Sequence, residues 1–312
     1  MIRSWLLLAA LLSSMIGRFA AAEISPPAPR GLRRQNCLGT PDDRFIISQA
    51  LLGRFTPRML GTVLEVSYCR PLVRRAELLY FLSNVTTGGI FYISPILNAY
   101  GGYVSVTPLS FLTMRLDVLY WHHWSLPRPT SSGFFKLPSY DASFRDSDLM
   151  KRQGGTASAF IVQSRTTLRG RIDLGRWTRL ALVDNFWVDY WWIDQNTFYK
   201  NIPRDVVLAK SDWVVVNDVT LLFEMILRQQ NPISLFLAVQ HEWTYVPNHP
   251  YHAHLLTGFV IVRIARLGKV VRNLRAFVQA GSHLQHAFRV GRLYIGGGFL
   301  VDYDLGPVSH AR

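Results

Sequence analysis

Leu112–Trp124 reads LTMRLDVLYWHHW. Leu112, Met114, Leu116, Val118 and Tyr120 fall on one parity; Thr113, Arg115 and Asp117 fall on the other. A helix would scatter Arg115 and Asp117 among apolar neighbours. A strand gathers them on one wet face, because successive side chains point to opposite sides. The period of two in this stretch decides the fold class.

The same pattern recurs in both directions. Ala159–Ile172 places Gln163, Arg165, Thr167, Arg169 and Arg171 on one face. Arg176–Trp192 places Leu180, Leu182, Phe186, Val188, Tyr190 and Trp192 on an apolar face that Asp184 interrupts, which calls for a bulge or a position at the membrane edge. Val214–Leu227 sets Val219, Leu221, Phe223 and Met225 against Asp218, Thr220 and Glu224. Ile233–Tyr245 sets Leu235, Leu237, Val239, Trp243 and Tyr245 against Ser234, Gln240, Glu242 and Thr244. Leu60–Tyr68 alternates too, and His254–Ile264, Leu274–His283 and Leu293–Leu305 do so with weaker contrast. Between Arg75 and Thr107 the pattern blurs: Glu77–Ser83 reads as a strand, and Gly89–Leu97 and Tyr100–Val106 read as strands interrupted by Gly and by Pro95. About twelve strands result, with an error of two either way.

The N-terminus carries an export signal. Arg3 supplies the charge, Trp5–Leu12 the apolar run and Ala20-Ala21-Ala22 the cleavage pattern, which places a signal peptide at 1–22. That run is too short to span a bilayer, which takes roughly 20 residues as a helix. Residues 23–57 read as a periplasmic N-terminal segment, rich in Pro, Gly and Arg up to Arg44. Within it Phe45–Phe55 (FIISQALLGRF) is either a short amphipathic helix or a loop. Residues 58–305 form the β-domain and 306–312 a tail. Cys37 and Cys69 either form one disulfide or stay free thiols; no spacing rule fixes two Cys. The formal net charge of +14 calls for an anionic neighbour, and the export signal turns that reading from nucleic acid towards lipid phosphates and lipopolysaccharide. The basic residues Arg128, Lys136, Arg145, Lys151 and Arg152 in the long polar link are the expected contacts.

Connections alternate in length. Short turns sit at Thr107–Ser110, Asp173–Arg176, Gln229–Pro232 and Leu267–Val271, and longer polar links at Ser125–Gly155 and Asp194–Ser211, with a shorter one at Pro247–His252. Membrane barrels have short turns on the periplasmic side and long loops outside. An even strand number with both termini in the periplasm follows.

A soluble sandwich buries its apolar faces against each other, whereas a membrane barrel turns them to lipid and keeps the polar faces around a lumen. Three features select the barrel. Aromatic residues, 13% of the chain, crowd strand ends: Tyr120, Trp121 and Trp124; Tyr190, Trp191 and Trp192; Trp243 and Tyr245. Mean hydropathy is positive although charges persist inside strands. The terminal strand presents Phe299, Val301, Tyr303 and Leu305 in alternation.

On these residues the stretch Leu60–Leu305 resembles the outer-membrane β-barrel class of Gram-negative bacteria. The resemblance implies an all-β, transmembrane antiparallel up-and-down barrel. Its last strand looks like the signal read by the outer-membrane assembly machinery, which implies insertion by that machinery. The sequence departs from the class by continuing through Gly306–Arg312 instead of ending on an aromatic residue. Membrane lipid and lipopolysaccharide are the expected partners, and nucleic acid is not.

The polar parities carry both signs: Glu65, Glu77, Asp117, Asp218, Glu224, Glu242 and Asp302 beside Arg115, Arg165, Arg169, Arg171, Arg263, Arg275 and Arg292. Twelve strands enclose a narrower lumen than porins with sixteen or more. Opposite charges either cross-link and close that lumen or leave an arginine wall that favours anions. The expected role is a passive narrow pore or a structural envelope component; the alternatives are a barrel-embedded lipid hydrolase and an exported soluble β-rich binding protein. Ser282 and His283 are adjacent and face opposite sides of a strand, so no nucleophile and base are paired. His249, His252 and His254 cluster in one link, and solvation is the ordinary fate of such residues. No cofactor and no metal are expected.

Overall fold

The computed structural model describes Cys37 and residues 42–55, 58–73, 78–124, 134–142, 155–201, 203–228, 233–249, 251–286 and 289–307. The signal peptide, Glu77, Arg128, Arg145, Lys151 and Arg152 lie outside the described residues.

Period-two segments become strands wherever the sequence sustains them. In chain order they are β1 (Arg44–Phe55), β2 (Arg58–Pro71), β3 (Asn84–Ser94), β4 (Leu97–Leu109), β5 (Leu112–Trp124), β6 (Lys136–Leu137), β7 (Thr156–Asp173) and β8 (Thr178–Ile193). They continue with β9 (Phe198–Asn201), β10 (Val206–Leu208), β11 (Ser211–Arg228), β12 (Ile233–Val246), β13 (Tyr251–Leu267), β14 (Val271–Gln285) and β15 (Leu293–Pro307). All but β6, β9 and β10 form one closed barrel, in which each strand pairs antiparallel with its chain neighbour and β15 closes on β1. Closure removes every sheet edge, the condition for burying backbone in hydrocarbon. The membrane-barrel reading rests on direction. Leu116, Val118, Leu182, Phe186, Leu237, Val239, Val260 and Val278 are exposed on the outside, and their alternate neighbours Asp117, Asn185, Ala238 and Gln279 turn inwards.

Three sequence expectations change. Phe45–Phe55 is neither helix nor loop: it is the body of the first barrel strand, pairing with β2 and β15 at once. Its inward residues Ile46, Ala50 and Leu52 are themselves apolar, so the alternation that marks other strands is muted here. Ile46 is buried against Cys37 and Cys69, which form a disulfide. The barrel therefore begins at Arg44 and runs to Pro307, past the boundaries 58 and 305. Of the strand expected over Glu77–Ser83, the described residues 78–83 form a connection: Leu78–Tyr80 makes one 3-10 turn, and Ser83 N–H closes onto Tyr80 C=O at 2.9 Å. Ser110 braces it from the neighbouring turn, its N–H donating to Leu79 C=O at 2.8 Å.

Two ends of the barrel differ. At the terminal end lie Arg44, Pro307 and the connections after β2, β4, β7, β11 and β13. At the loop end lie the short turns after β1, β3 and β12 and the longer connections after β5, β8 and β14. Strands β7 and β11 hold 18 residues each, well beyond the roughly 10 that a tilted membrane strand needs. Their extensions surround the three-stranded sheet β10-β9-β6, built by the two long links. One face of that sheet, Tyr199, Val206 and Leu208 with Phe134, packs on the inner wall at Trp121, Trp191 and Val214. The other face, Val207 and Phe198, packs on Phe135 and Leu137. The hydrophobic core of this protein thus sits inside the loop-end mouth of the barrel.

Candidate functional site

The site is the lumen. Strand parity turns Glu65, Arg115, Asp117, Arg165, Arg169, Arg171, Asp218, Glu224, Glu242, Arg263, Arg275 and Asp302 inwards. Arg292 is different: it lies exposed in the connection 286–292, because β15 starts only at Leu293.

Inside, the charges form local clusters. Arg115 contacts Glu65 at 3.0 Å and Asp117 at 2.7 Å, and its guanidinium lies 3.7 Å from the Tyr103 ring. Glu224 is shared by Arg263 at 2.9 Å and Arg179 at 3.5 Å, and accepts the Ser234 hydroxyl at 2.6 Å. Asp304 is shared by Arg44 at 3.0 Å and Arg272 at 3.5 Å. Arg169 donates to the Thr113 hydroxyl. Buried carboxylates that each hold two guanidinium groups leave the terminal-end half of the wall basic.

At the loop end, two consecutive residues of the connection between β8 and β11 tie separate parts of the barrel together. Arg204 reaches Asp189 on β8, 2.6 Å away, and stacks 4.2 Å over the Trp187 ring. Asp205 reaches the other way, to Arg289 Nε at 2.7 Å and His286 Nε2 at 3.3 Å, on the connection between β14 and β15. Strands β11, β12 and β13 separate β8 from β14 in the barrel order. Residues 204 and 205 therefore form a crossbar over the mouth. Asp205 sits at φ 54°, in the left-handed region that Asp tolerates better than most residues. Burial would raise its carboxyl pKa, but His286 and Arg289 outweigh burial and hold it below the usual carboxylate range.

A second tie fixes the outer sheet. Asp212 accepts the Tyr140 hydroxyl at 3.0 Å, Asn248 Nδ2 at 2.6 Å and the Ala209 N–H. Burial and then the Asp212 contact push the Tyr140 hydroxyl pKa up, and burial does the same to Tyr199.

The boundary aromatics divide by parity. Tyr120 and Trp192 are exposed on the outer face; Tyr190 tilts against Trp213 there at 4.9 Å, and Trp243 stacks with Tyr245 at 5.9 Å. Trp124, also on the outer parity, donates from Nε1 to Pro95 C=O at 2.5 Å. Trp121 and Trp191 are not boundary residues: at 7% and 2% exposure they point into the mouth, 5.4 Å apart. Adjacent strand residues take opposite faces, so a run such as Tyr190-Trp191-Trp192 cannot form one belt.

The histidine cluster does not converge. His252 and His254 lie outside with Trp243 and His241, where His241 Nε2 and His254 Nδ1 are 3.1 Å apart, while His249 stacks on Tyr140 at 4.9 Å. Among the described residues no group of three ligands could hold a metal ion. Ser282 pairs with Leu293 on the outer face, while His283 is buried on the inner one.

Asp189 and Asp304 were legible as inward residues by parity from their neighbours. The roles of Arg204, Asp205 and Arg289 were not, because connections carry no periodicity and their partners are distant in sequence.

A closed barrel of twelve antiparallel strands with an apolar outer face decides the fold. This chain has the fold of the Gram-negative outer-membrane β-barrels. The β-domain of the Bordetella autotransporter Brka is similar at 12% identity, covering 85% of this chain and 100% of that one, with a TM-score of 0.50. The translocator domain of the autotransporter NalP from Neisseria meningitidis is similar at 12% identity over 95% and 96%, with a TM-score of 0.44. An outer-membrane channel from Pseudomonas putida F1 is similar at 10% identity over 89% and 100%, with a TM-score of 0.40. No family model and no curated protein matches the chain.

Proposed function

We propose that this barrel is a narrow passive pore of the outer membrane, kept nearly shut at its loop end. The observation that carries this reading is the crossbar, in which Arg204 and Asp205 are tied to separate parts of the wall. A purely structural barrel has no need of a lumen; here charged side chains line the interior below the mouth, and the occluding element is a connection, not a barrel strand. The loop end faces outwards, since long connections lie on the external side of such barrels. Its outer aromatic and histidine side chains contact lipid and lipopolysaccharide, and β15 is the strand read by the assembly machinery.

The structural-component reading draws on one specific observation: Arg115 ties Glu65 on β2 to Asp117 on its own strand and narrows the lumen further. Single-channel recording separates the two. The wild-type protein in planar bilayers is expected to show small, infrequent conductance steps. Removal of residues 196–208 is expected to convert these to steps several times larger. If the shortened protein, inserted and heat-modifiable on gels, stays silent, the pore reading fails and the structural one stands.

A further inference from the structure

Arg263 on β13 and Arg275 on β14 are directly opposite each other in register. Both face the lumen near the terminal end. Like charges in directly opposed positions are unfavourable, because their side chains share one small space. Another such pair exists in this barrel, Arg115 opposite Arg165, but there Glu65 and Asp117 bracket Arg115 closely. Around Arg263 and Arg275 the negative charge falls short. Glu224 serves Arg263 and Arg179 together, and Asp173, 3.0 Å from Arg179, is shared in turn with Arg171 at 3.5 Å. Asp302 stands 3.8 Å from Arg275 and already accepts the Ser48 hydroxyl at 2.7 Å and Asn273 Nδ2 at 3.3 Å. The Nε atoms of both Arg263 and Arg275 are buried and lack a hydrogen-bond partner among the described residues.

The backbone is bent to gather this charge. Pairing between β14 and β15 shifts register between Arg272 and Arg275, and Asn273 takes φ 46°. Strict alternation would send residues three apart to opposite faces. With the shift, Arg272 reaches Asp304 and Arg275 reaches Asp302, so both lie on the lumen side. A left-handed residue inside a strand is held there only when its surroundings over-determine it.

We infer that Arg263 and Arg275, with Arg179 beside them, form a binding site for a compact oxyanion, a carboxylate or phosphate group on a solute that enters the lumen. A guanidinium offers five donors in a planar fork that matches either group. One oxyanion between the opposed guanidinium groups would neutralise the repulsion that the two arginines otherwise suffer. The inference deepens the pore reading by naming its solute class; the binding itself can be tested without conduction.

The test uses the full-length mature protein in detergent. The midpoint of thermal unfolding is followed by the gel shift of heat-modified protein. It is titrated with inorganic phosphate, with acetate and with sodium chloride at matched ionic strength. Phosphate or acetate is expected to raise the midpoint by several degrees beyond chloride; which of the two acts at lower concentration assigns the group. In Arg275→Gln the oxyanion-dependent rise is expected to vanish, while the midpoint in oxyanion-free buffer stays equal to wild type or higher, since one repelling charge is gone. Arg263→Gln, tested alongside, is expected to abolish the rise as well. Equal shifts with chloride, or an oxyanion response that both variants retain, overturns the site. Should either variant fail to fold, Arg275→Lys keeps the charge but loses the fork, and an undiminished response there overturns it too. An oxyanion response without any conductance in bilayers leaves the site standing and removes the pore. Conductance without an oxyanion response does the reverse.

Discussion

Arg204 and Asp189 meet at 2.6 Å, one from a connection and one from the barrel wall, and Asp189 also accepts Gln163 Nε2 at 2.8 Å. The carboxylate is fully buried and the guanidinium nearly so. Breaking such a pair by removing one partner leaves a buried charge and costs about 3–5 kcal/mol. Asp189→Ala is therefore expected to loosen the crossbar more than it loosens the barrel. Limited proteolysis should cut between residues 194 and 210 at least ten times faster than in wild type, with heat-modifiable migration retained. Unchanged protection of that segment would show that the crossbar is held by the apolar cluster alone.

The crossbar's other anchor sets its response to acid. The folded-state pKa of Asp205 lies below that of a free carboxyl, about 3.9. Its contribution to holding the mouth is thus complete above that value and is lost only as pH falls through the lower, folded-state pKa. Conductance is expected to stay constant from pH 7 to pH 5, whereas Asp205→Asn should be more open at pH 7. A several-fold rise in wild-type current within that interval would contradict this anchor.

Barrel closure depends on a close approach between β15 and β1. A Cβ at Gly298 would come within 2.3 Å of the Leu51 carbonyl oxygen, which is backbone and has little room to retreat. Gly298→Ala is expected to cost about 1–3 kcal/mol. Folding yield into detergent, read as the fraction of the heat-modifiable form, should drop. Normal yield at an unchanged urea midpoint would mean that the seam tolerates a small shift.

Asp184 faces outwards, and neither of its pairings contains a bulge at that point. Asn217 on the neighbouring strand donates to it at 2.5 Å, so the polar interruption of the apolar face is paired within the sheet. Removing one partner leaves the other unsatisfied in hydrocarbon, at about 1–3 kcal/mol. Asn217→Leu is expected to lower the urea midpoint, and the double change Asp184→Leu with Asn217→Leu to restore or raise it. Additive losses in the double variant would refute the pairing.

Most barrel strands and the facing of their side chains were legible in the chain, because a period of two is a local property; the expected count of about twelve agrees with the barrel because the strand expected over Glu77–Ser83 offsets β1, which the pattern did not reveal. Leu112–Trp124 shows this best: parity alone places Arg115 and Asp117 inside and Leu116 and Val118 outside. Parity failed where both faces are apolar. Arg44–Phe55 shows little alternation because Ile46, packed on the disulfide, and Ala50 and Leu52 make its inward side partly apolar, and Trp121 and Trp191 looked like boundary residues because the mouth they line is itself a core. The joining of Cys37 to Cys69, the crossbar, and the opposition of Arg263 to Arg275 come from tertiary structure. Each joins residues through strand register or loop path, and those are set by closure of the whole barrel, which no local stretch of sequence encodes.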